Sequence, residues 1–394
     1  MPEANAQTPP PRGFSATEFE QRTVRAQRLM AAAGLDAMLL TTEPEVRYFS
    51  GFLTRFWESP TRPWFLIVPA AGKPVAVIPS IGVDLMAGTW LDDIRCWSAP
   101  RPEDDGVTLL ADTLRDLAGS HARIGLPMGP ETSLRMPLAD YARLQQSLPQ
   151  CQIHDAGGIV QSLNRVKSEA EIAKIAHACA IAGRAFDDMP AIATPGKPLS
   201  EVFREFQIAL LRHGADWVPY LAGGAGPGGY GDVISPPGGE PLRPGDLLML
   251  DTGAVHDGYF CDFDRNFAIG RADEATRVAY RRLHAAIEAA LAVAAPGTTC
   301  AELHQTMRAV LVEAGGADTG TGRFGHGLGS RLTEWPSLIA SDHTPLEPGM
   351  VLTLEPSVEV SPGRIMVHEE NIVIRAVGCE LLSPRAAAEL PVLV

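Results

Sequence analysis

Four carboxylic acids stand where an apolar strand should hold none. Asp251 closes the run LLMLD, Glu355 closes VLTLE, Asp262 interrupts YFCDFDR and Glu369 lies within IMVHEENIVI. An acid in such a segment is costly to bury unless something neutralises it. The turn VHDG separates Asp251 from Asp262, so a hairpin joined at 256–258 brings the two acids together on one face by period-two alternation. Side by side in a core they repel, and one is forced to stay protonated unless a cation lies between them. Alternation likewise sets Val367, Glu369, Asn371 and Val373 on one face of the last segment, with Met366, His368, Glu370 and Ile372 on the other. His326, in FGHGLGS, has flanking glycines that leave room for close approach of a ligand or metal. Four acids and one imidazole make a hard, oxygen-rich donor set, suited to a pair of Mn²⁺, Co²⁺, Fe²⁺ or Zn²⁺ ions bridged by water.

These acids belong to the second of two expected domains, because 394 residues exceed what one hydrophobic core usually supports. From Phe14 the sequence reads as a helix and then a strand: Ser15 and Glu18 have capping-box spacing, and Gly34 stops the helix before the apolar run Ala37 to Leu40. Strand-like stretches at 64–68 and 74–78 and a helical one at 107–117 complete an α/β domain over 14–162, behind a disordered leader at 1–13. A long amphipathic helix starting near Ser168, with Glu169 and Glu171 favourable at its N-terminus, opens an α+β domain over 163–394. Its further helices fall at 199–213, 275–294 and 300–314, and its strands at 247–252, 259–267, 351–355 and 365–374. The glycine-rich tract 222–232 has no GK[ST] after it and opens no helix, so it reads as a flexible loop lining a cleft.

A net charge of −14 argues against a nucleic-acid partner, since phosphate binding relies on clustered Lys and Arg. No run approaches the roughly 20 apolar residues that span a bilayer, and the opening MPEANAQTPPPR is polar and proline-rich rather than signal-like. The six cysteines form no CxxC pair and read as reduced thiols. The expectation is a cytoplasmic protein with no membrane partner.

DTGAVHDGYFCDFDRNF, GHGLGSRLTEWP, LTLEP and HEENIVI resemble the metal-binding motifs of the Xaa-Pro aminopeptidase, prolidase and creatinase family, and GLDAMLLTTEPEVRYFSGF is similar to the opening of that family's smaller domain. The resemblance implies a creatinase-like N-terminal domain before a pita-bread catalytic domain, with two divalent metals on Asp251, Asp262, His326, Glu355 and Glu369. It further implies hydrolysis of a C–N bond by a metal-bound hydroxide, with Glu355 relaying the proton. The leading substrate class is a dipeptide or short peptide with proline after the scissile bond, handled by a homodimer. In relatives one protomer's N-terminal loop closes the neighbour's site, which makes Arg55, Trp57 and Arg62 candidate substrate contacts on an exposed-looking loop.

The chain departs from the family pattern at three places. Thr333 stands where proline-specific members carry a second His, seven residues after the metal His. The loop before Asp251 lacks their other His, with Tyr230 or Asp232 near that place, and Asp264 replaces the usual Thr two residues after the second Asp. Thr333, Tyr230, Asp232 and Asp264 are therefore candidate proton carriers, and Glu334 is either an acid or substrate-positioning group or a cap on local backbone. Arg265 is expected to pair with a metal-binding acid. Two rival readings are a creatinase-like or ectoine-type hydrolase or lyase of a small molecule, and a non-catalytic binding module of the same fold.

Overall fold

In the computed structural model, residues 8–59, 63–313 and 322–394 are described; residues 1–7 of the expected leader and Arg62 lie outside them. The chain forms two compact units, Pro11–Asn164 and Arg165–Val394.

The N-terminal unit is built on a six-stranded sheet whose order is Ile94–Trp97, Val75–Pro79, Phe65–Pro69, Ala37–Leu40, Arg123–Leu126, Gln152–Asp155. Period-two alternation buries both of its faces. Met38, Leu40, Leu66 and Val68 join a core completed by Ala26 and Met30 of the helix Ala16–Ala33. Ala37, Leu39, Phe65 and Ile67 meet Leu110 and Leu114 of the helix Val107–Ala118 on the opposite side. Ser15 caps the first helix, its hydroxyl accepting from the Glu18 N–H at 3.2 Å, and Gly34 ends it in the left-handed region at φ 67°.

The C-terminal unit carries the acids on two sheets. The first has the strand order Val392–Leu393, Phe263–Ile269, Asp246–His256, Trp217–Pro227, with Tyr259–Phe260 pairing against Asp246–His256. The second runs Glu334–Ser337, His326–Gly327, Val351–Leu354, Glu370–Ile374, Cys379–Leu381. The helices Glu274–Val293 and Cys300–Glu313 supply Leu283, Ile287, Leu303 and Met307 to the main core, which also takes Leu247, Leu352 and Ile372 from both sheets. The helix Glu169–Asp187 opens with a full capping box between Ser168 and Glu171.

Three expectations change here. The glycine tract is largely a strand: Ala222 to Pro227 pair residue by residue with Asp251 to Asp246. Glycine permits this because Gly223, at φ 147°, lies so close to the facing strand that a Cβ would sit 2.2 Å from the Met249 carbonyl oxygen. The segment 365–374 is two strands rather than one, since Arg364–Val367 pairs with Ser357–Ser361 and Glu370–Ile374 with Val351–Leu354. A strand that changes sheets cannot keep one alternation, so the face drawn through Glu369 does not run on. The segment 259–267 is likewise interrupted at Cys261 and Asp262, where the Asp262 N–H leaves the ladder for the Asn371 side chain at 2.9 Å.

Candidate metal centre

Ligand atoms of Asp262, His326 and Glu369, all buried, lie within 4.8 Å of one another. They arrive from different places. Asp262 lies between the strands Tyr259–Phe260 and Phe263–Ile269, and Glu369 between Arg364–Val367 and Glu370–Ile374. His326 begins its own short strand, where the Thr353 hydroxyl accepts its N–H at 3.0 Å. Glu355 follows the strand Val351–Leu354, and its Oε1 is 3.7 Å from His326 Nε2. Directly opposite Asp251 in the first sheet stands Asp264, so Asp262 meets Asp251 along a diagonal.

The imidazole is oriented for one purpose. His326 Nδ1 is 2.8 Å from the Gly327 carbonyl oxygen, which can only accept, so Nδ1 holds the proton and Nε2 is bare. Burial, reinforced by the Arg323 cation, pushes this imidazole down to about 4, so it is neutral at physiological pH. Nε2 faces Asp262 Oδ2 at 3.4 Å, an arrangement of a bare nitrogen and a carboxylate oxygen that needs a proton or a cation between them. Oxygens of Asp251, Glu355 and Glu369 are buried without a hydrogen-bond partner. Burial pushes Asp251 up to about 6 and Glu355 up to about 7, and it also raises Asp262 and Glu369 well above their ordinary values, with repulsion from neighbouring acids adding to it. Bare lone pairs and under-ionised acids in one place are what a divalent cation corrects, so the donor set fits a metal.

Two residues unmarked in the sequence reading complete this surround. Tyr220 donates its hydroxyl to Asp251 Oδ2 at 2.8 Å. Arg323 places Nε 3.5 Å from Glu355 Oε1 and Nη2 3.4 Å from Thr333 Oγ1, with 35 % of its side chain exposed. The sequence signal for Arg323 was a lone cation three residues before His326 in an acid-rich site. Tyr220 had no signal without the register that sets its strand against Asp251.

Several candidates are placed elsewhere. Glu334 is sealed in a buried ion pair with Lys167 at 2.9 Å, and its other oxygen accepts from Ser330 and the Arg331 N–H, so it caps and anchors local backbone. Tyr230 is 1 % exposed, its hydroxyl accepting from the Val367 N–H and donating to Asn266, which leaves no free face for proton transfer. Asp232 is exposed and caps the Ile234 and Ser235 N–H groups. Arg265 pairs with Glu370 at 3.0 Å, not with a candidate ligand carboxylate. The glycines beside His326 admit backbone rather than ligand: a Cβ at Gly325 would lie 2.2 Å from the Thr353 carbonyl oxygen, and one at Gly327 2.5 Å from that of Trp335. In the other unit Trp57 is buried in the core and stacks under Arg135, contrary to an exposed loop, whereas Arg55 is exposed and paired with Glu58 at 2.5 Å.

A buried acid and imidazole cluster framed by two sheets and flanking helices marks out a candidate metal-binding enzyme. The description "Metallopeptidase family M24" matches residues 173–376, and "Creatinase/Prolidase N-terminal domain" matches residues 22–166. The chain belongs to metallopeptidase family M24 and is a metal-dependent hydrolytic enzyme of that family. It is 28 % identical over 364 residues to the probable dipeptidase PepE of Mycobacterium tuberculosis, covering 92 % of this chain and 93 % of that protein. To the Xaa-Pro dipeptidase of Pyrococcus furiosus it is 29 % identical over 228 residues, covering 57 % and 65 %. The crystal structure of dipeptidase PepE from Mycobacterium ulcerans superimposes with a TM-score of 0.83 at 27 % identity, covering 97 % of this chain and 99 % of that one. No helix among the described residues is long and apolar enough to cross a membrane.

Proposed function

We propose that this enzyme hydrolyses dipeptides and short peptides carrying a free carboxylate, with two divalent metals (Mn, Co, Fe or Zn) held by Asp251, Asp262, His326, Glu355 and Glu369. The observation that carries the reading is the bare His326 Nε2 set against the carboxylate of Asp262, 3.4 Å away, among acids with unpartnered buried oxygens. Bound metals supply Lewis-acid polarisation of the scissile carbonyl and a water ionised near neutral pH. The residues of the chain do the rest. His326 keeps one tautomer through Gly327. Glu355, 21 % exposed at the cluster's edge, would take a proton from the attacking water and return it to the leaving nitrogen. Arg323, half-buried beside Glu355, offers the cation that a substrate carboxylate pairs with.

The names of the relatives support dipeptides, and proline after the scissile bond is the leading class. A small amide bearing a carboxylate is the second reading, favoured by Thr333 in place of an imidazole. The proposal extends to a cytoplasmic homodimer, supported by six cysteines that are all free, with the exposed Arg55, paired with Glu58, as the candidate contact to a neighbouring protomer. The deciding assay is hydrolysis of Xaa-Pro dipeptides, other dipeptides and small carboxylated amides by chelated protein reloaded with Mn²⁺, Co²⁺, Fe²⁺ or Zn²⁺. Cleavage that survives chelation, or no cleavage of any class with any metal, refutes the proposal.

A further inference from the structure

Asp262 and Glu369 share an unusual backbone situation: each sits in a gap between two strands, at 261–262 and 368–369, where the sheet ladder does not hold the chain. A peptide group outside the ladder still needs partners when buried. Both residues find them in side chains of the other strand. The Asp262 N–H donates to Asn371 Oδ1 at 2.9 Å, and Asn371 Nδ2 donates back to the Asp262 carbonyl oxygen. The Glu369 N–H donates to Asp264 Oδ1 at 2.8 Å, and Arg265 Nη1 donates to the Glu369 carbonyl oxygen at 3.0 Å.

The pattern is reciprocal in the sequence as well. Asp264 lies two residues after Asp262, and Asn371 two residues after Glu369. We infer that Asp264, with Arg265, and Asn371 are a reciprocal pair of positioning devices, each two residues past one candidate ligand and each fixing the peptide group of the other. This rests on the metal reading above. The physical consequence follows from the geometry of a peptide. When N–H and C=O are both held, the Cα–Cβ vector is fixed, and a short acid such as Asp262 has little freedom left in where its oxygens fall. A donor set must be held to within about 0.5 Å to bind a metal well.

The side chains are themselves immobilised. Asn371 is 0 % exposed; its own N–H donates to Ser383 Oγ at 3.0 Å and its Oδ1 takes the Cys179 thiol at 3.3 Å. Arg265 is locked by Glu370 at 3.0 Å, and Glu370 is held in turn by Arg385 at 2.8 Å and the Ala386 N–H at 3.0 Å. Glu370, itself 0 % exposed, also accepts from the Ser383 hydroxyl, so both of its oxygens are held and it anchors the Arg265 guanidinium in place. Asp264 thereby gains a role that needs its carbonyl-type oxygen rather than its charge.

The test is calorimetric titration of Mn²⁺ into chelated protein, comparing wild type with Asp264→Leu, Asp264→Asn and Asn371→Leu, and with Asn371→Asp held in reserve. Loss of an outer partner typically costs about 10- to 100-fold in metal affinity. Both Leu variants should lose affinity in that range, while Asp264→Asn, which keeps the acceptor for the Glu369 N–H, should stay within a few-fold of wild type. If a Leu variant does not fold, Asn371→Asp keeps one of the two bonds to Asp262 and should show an intermediate loss. Asp264→Asn weakening binding as much as Asp264→Leu would overturn the inference, because charge and not the hydrogen bond would then matter. Undiminished affinity in both Leu variants would overturn it with the metal reading intact, whereas a wild type that takes up no Mn²⁺ would remove both.

Discussion

Chelating the enzyme should turn its acid cluster into a liability that grows with pH. Between pH 7 and 8.5 the folded His326 and His368 are neutral, having been pushed down to about 4 and about 3, so they contribute almost no slope. Unfolded carboxyls, near their ordinary values of about 4, are fully ionised there. In the folded state burial holds Glu355 up at about 7, and burial with repulsion from neighbouring acids raises Asp262 and Glu369, so near pH 7 the metal-free fold retains protons that the unfolded chain has released and sheds them as pH rises. Because the native state binds more protons, stability falls as pH rises, by about 1.4 kcal/mol per pH unit for each proton retained. A full proton held across the whole interval sets the upper bound, about 2 kcal/mol, which in a unit of this size lowers the unfolding temperature by at most roughly 4–8 °C. A bound cation displaces that proton at the start and should flatten the slope. The assay is thermal unfolding of the C-terminal unit, with chelator and with saturating Mn²⁺, at several pH values between 7 and 8.5. A chelated protein whose midpoint stays level or climbs over that interval would refute the reasoning.

Three other outcomes are expected. Asp262→Ala and Glu369→Ala should each abolish Mn²⁺ uptake and hydrolysis while circular dichroism stays unchanged; activity in a variant shown by elemental analysis to hold no metal would contradict the ligand assignment. Arg323→Met should raise KM for dipeptides about 10- to 100-fold, the worth of one charge-assisted hydrogen bond, while leaving C-terminally amidated dipeptides and metal content untouched. Lys167→Met should cost about 3–5 kcal/mol in urea unfolding by stranding Glu334 in the core, and Lys167→Met with Glu334→Leu should recover part of it; a neutral single variant would show that the pair is not the anchor it looks to be.

The sequence yielded most where a rule is local. The cap at Ser15, the stop at Gly34, the apolar strand Ala37 to Leu40 and the helix start near Ser168 depend on neighbours a few residues away, and they read directly. The acids were conspicuous for the same reason: Asp251, Asp262 and Glu369 are out of place in apolar runs whatever the runs pair with. What failed depended on partners distant in sequence. Strand Arg364–Val367 and strand Glu370–Ile374 join different sheets, a fact set by Ser357–Ser361 and Val351–Leu354 rather than by the segment itself. Proximity to a motif also misled. Glu334 and Tyr230 lie close to site motifs in sequence, yet Lys167 and the Val367 peptide engage them first, while Tyr220 reaches Asp251 from a strand whose register no local pattern fixes.

Position 333 is where resemblance to proline-specific enzymes and the chemistry of this chain part. An imidazole there could donate to the forming oxyanion or carry a proton, and such a group is typically worth about 10²-fold or more in rate. The Thr333 hydroxyl can donate a hydrogen bond but cannot become a cation near neutral pH. The alternative carriers have narrowed: Tyr230 is walled in by its two partners, and Asp232 is spent on capping a turn. Arg323, 3.4 Å from the Thr333 hydroxyl, is a fixed cation able to steady charge but not to shuttle a proton. Hydrolysis of Xaa-Pro dipeptides by the native protein should therefore fall below the roughly 10⁴ to 10⁸ M⁻¹s⁻¹ range of kcat/KM usual for competent enzymes, and Thr333→His should raise it through kcat rather than KM. A Thr333→His enzyme that is no faster, with its metal content intact, would show that Arg323 and Thr333 together already supply what the imidazole provides elsewhere. Native kcat/KM inside that range would show that proline-directed cleavage needs no imidazole at this position.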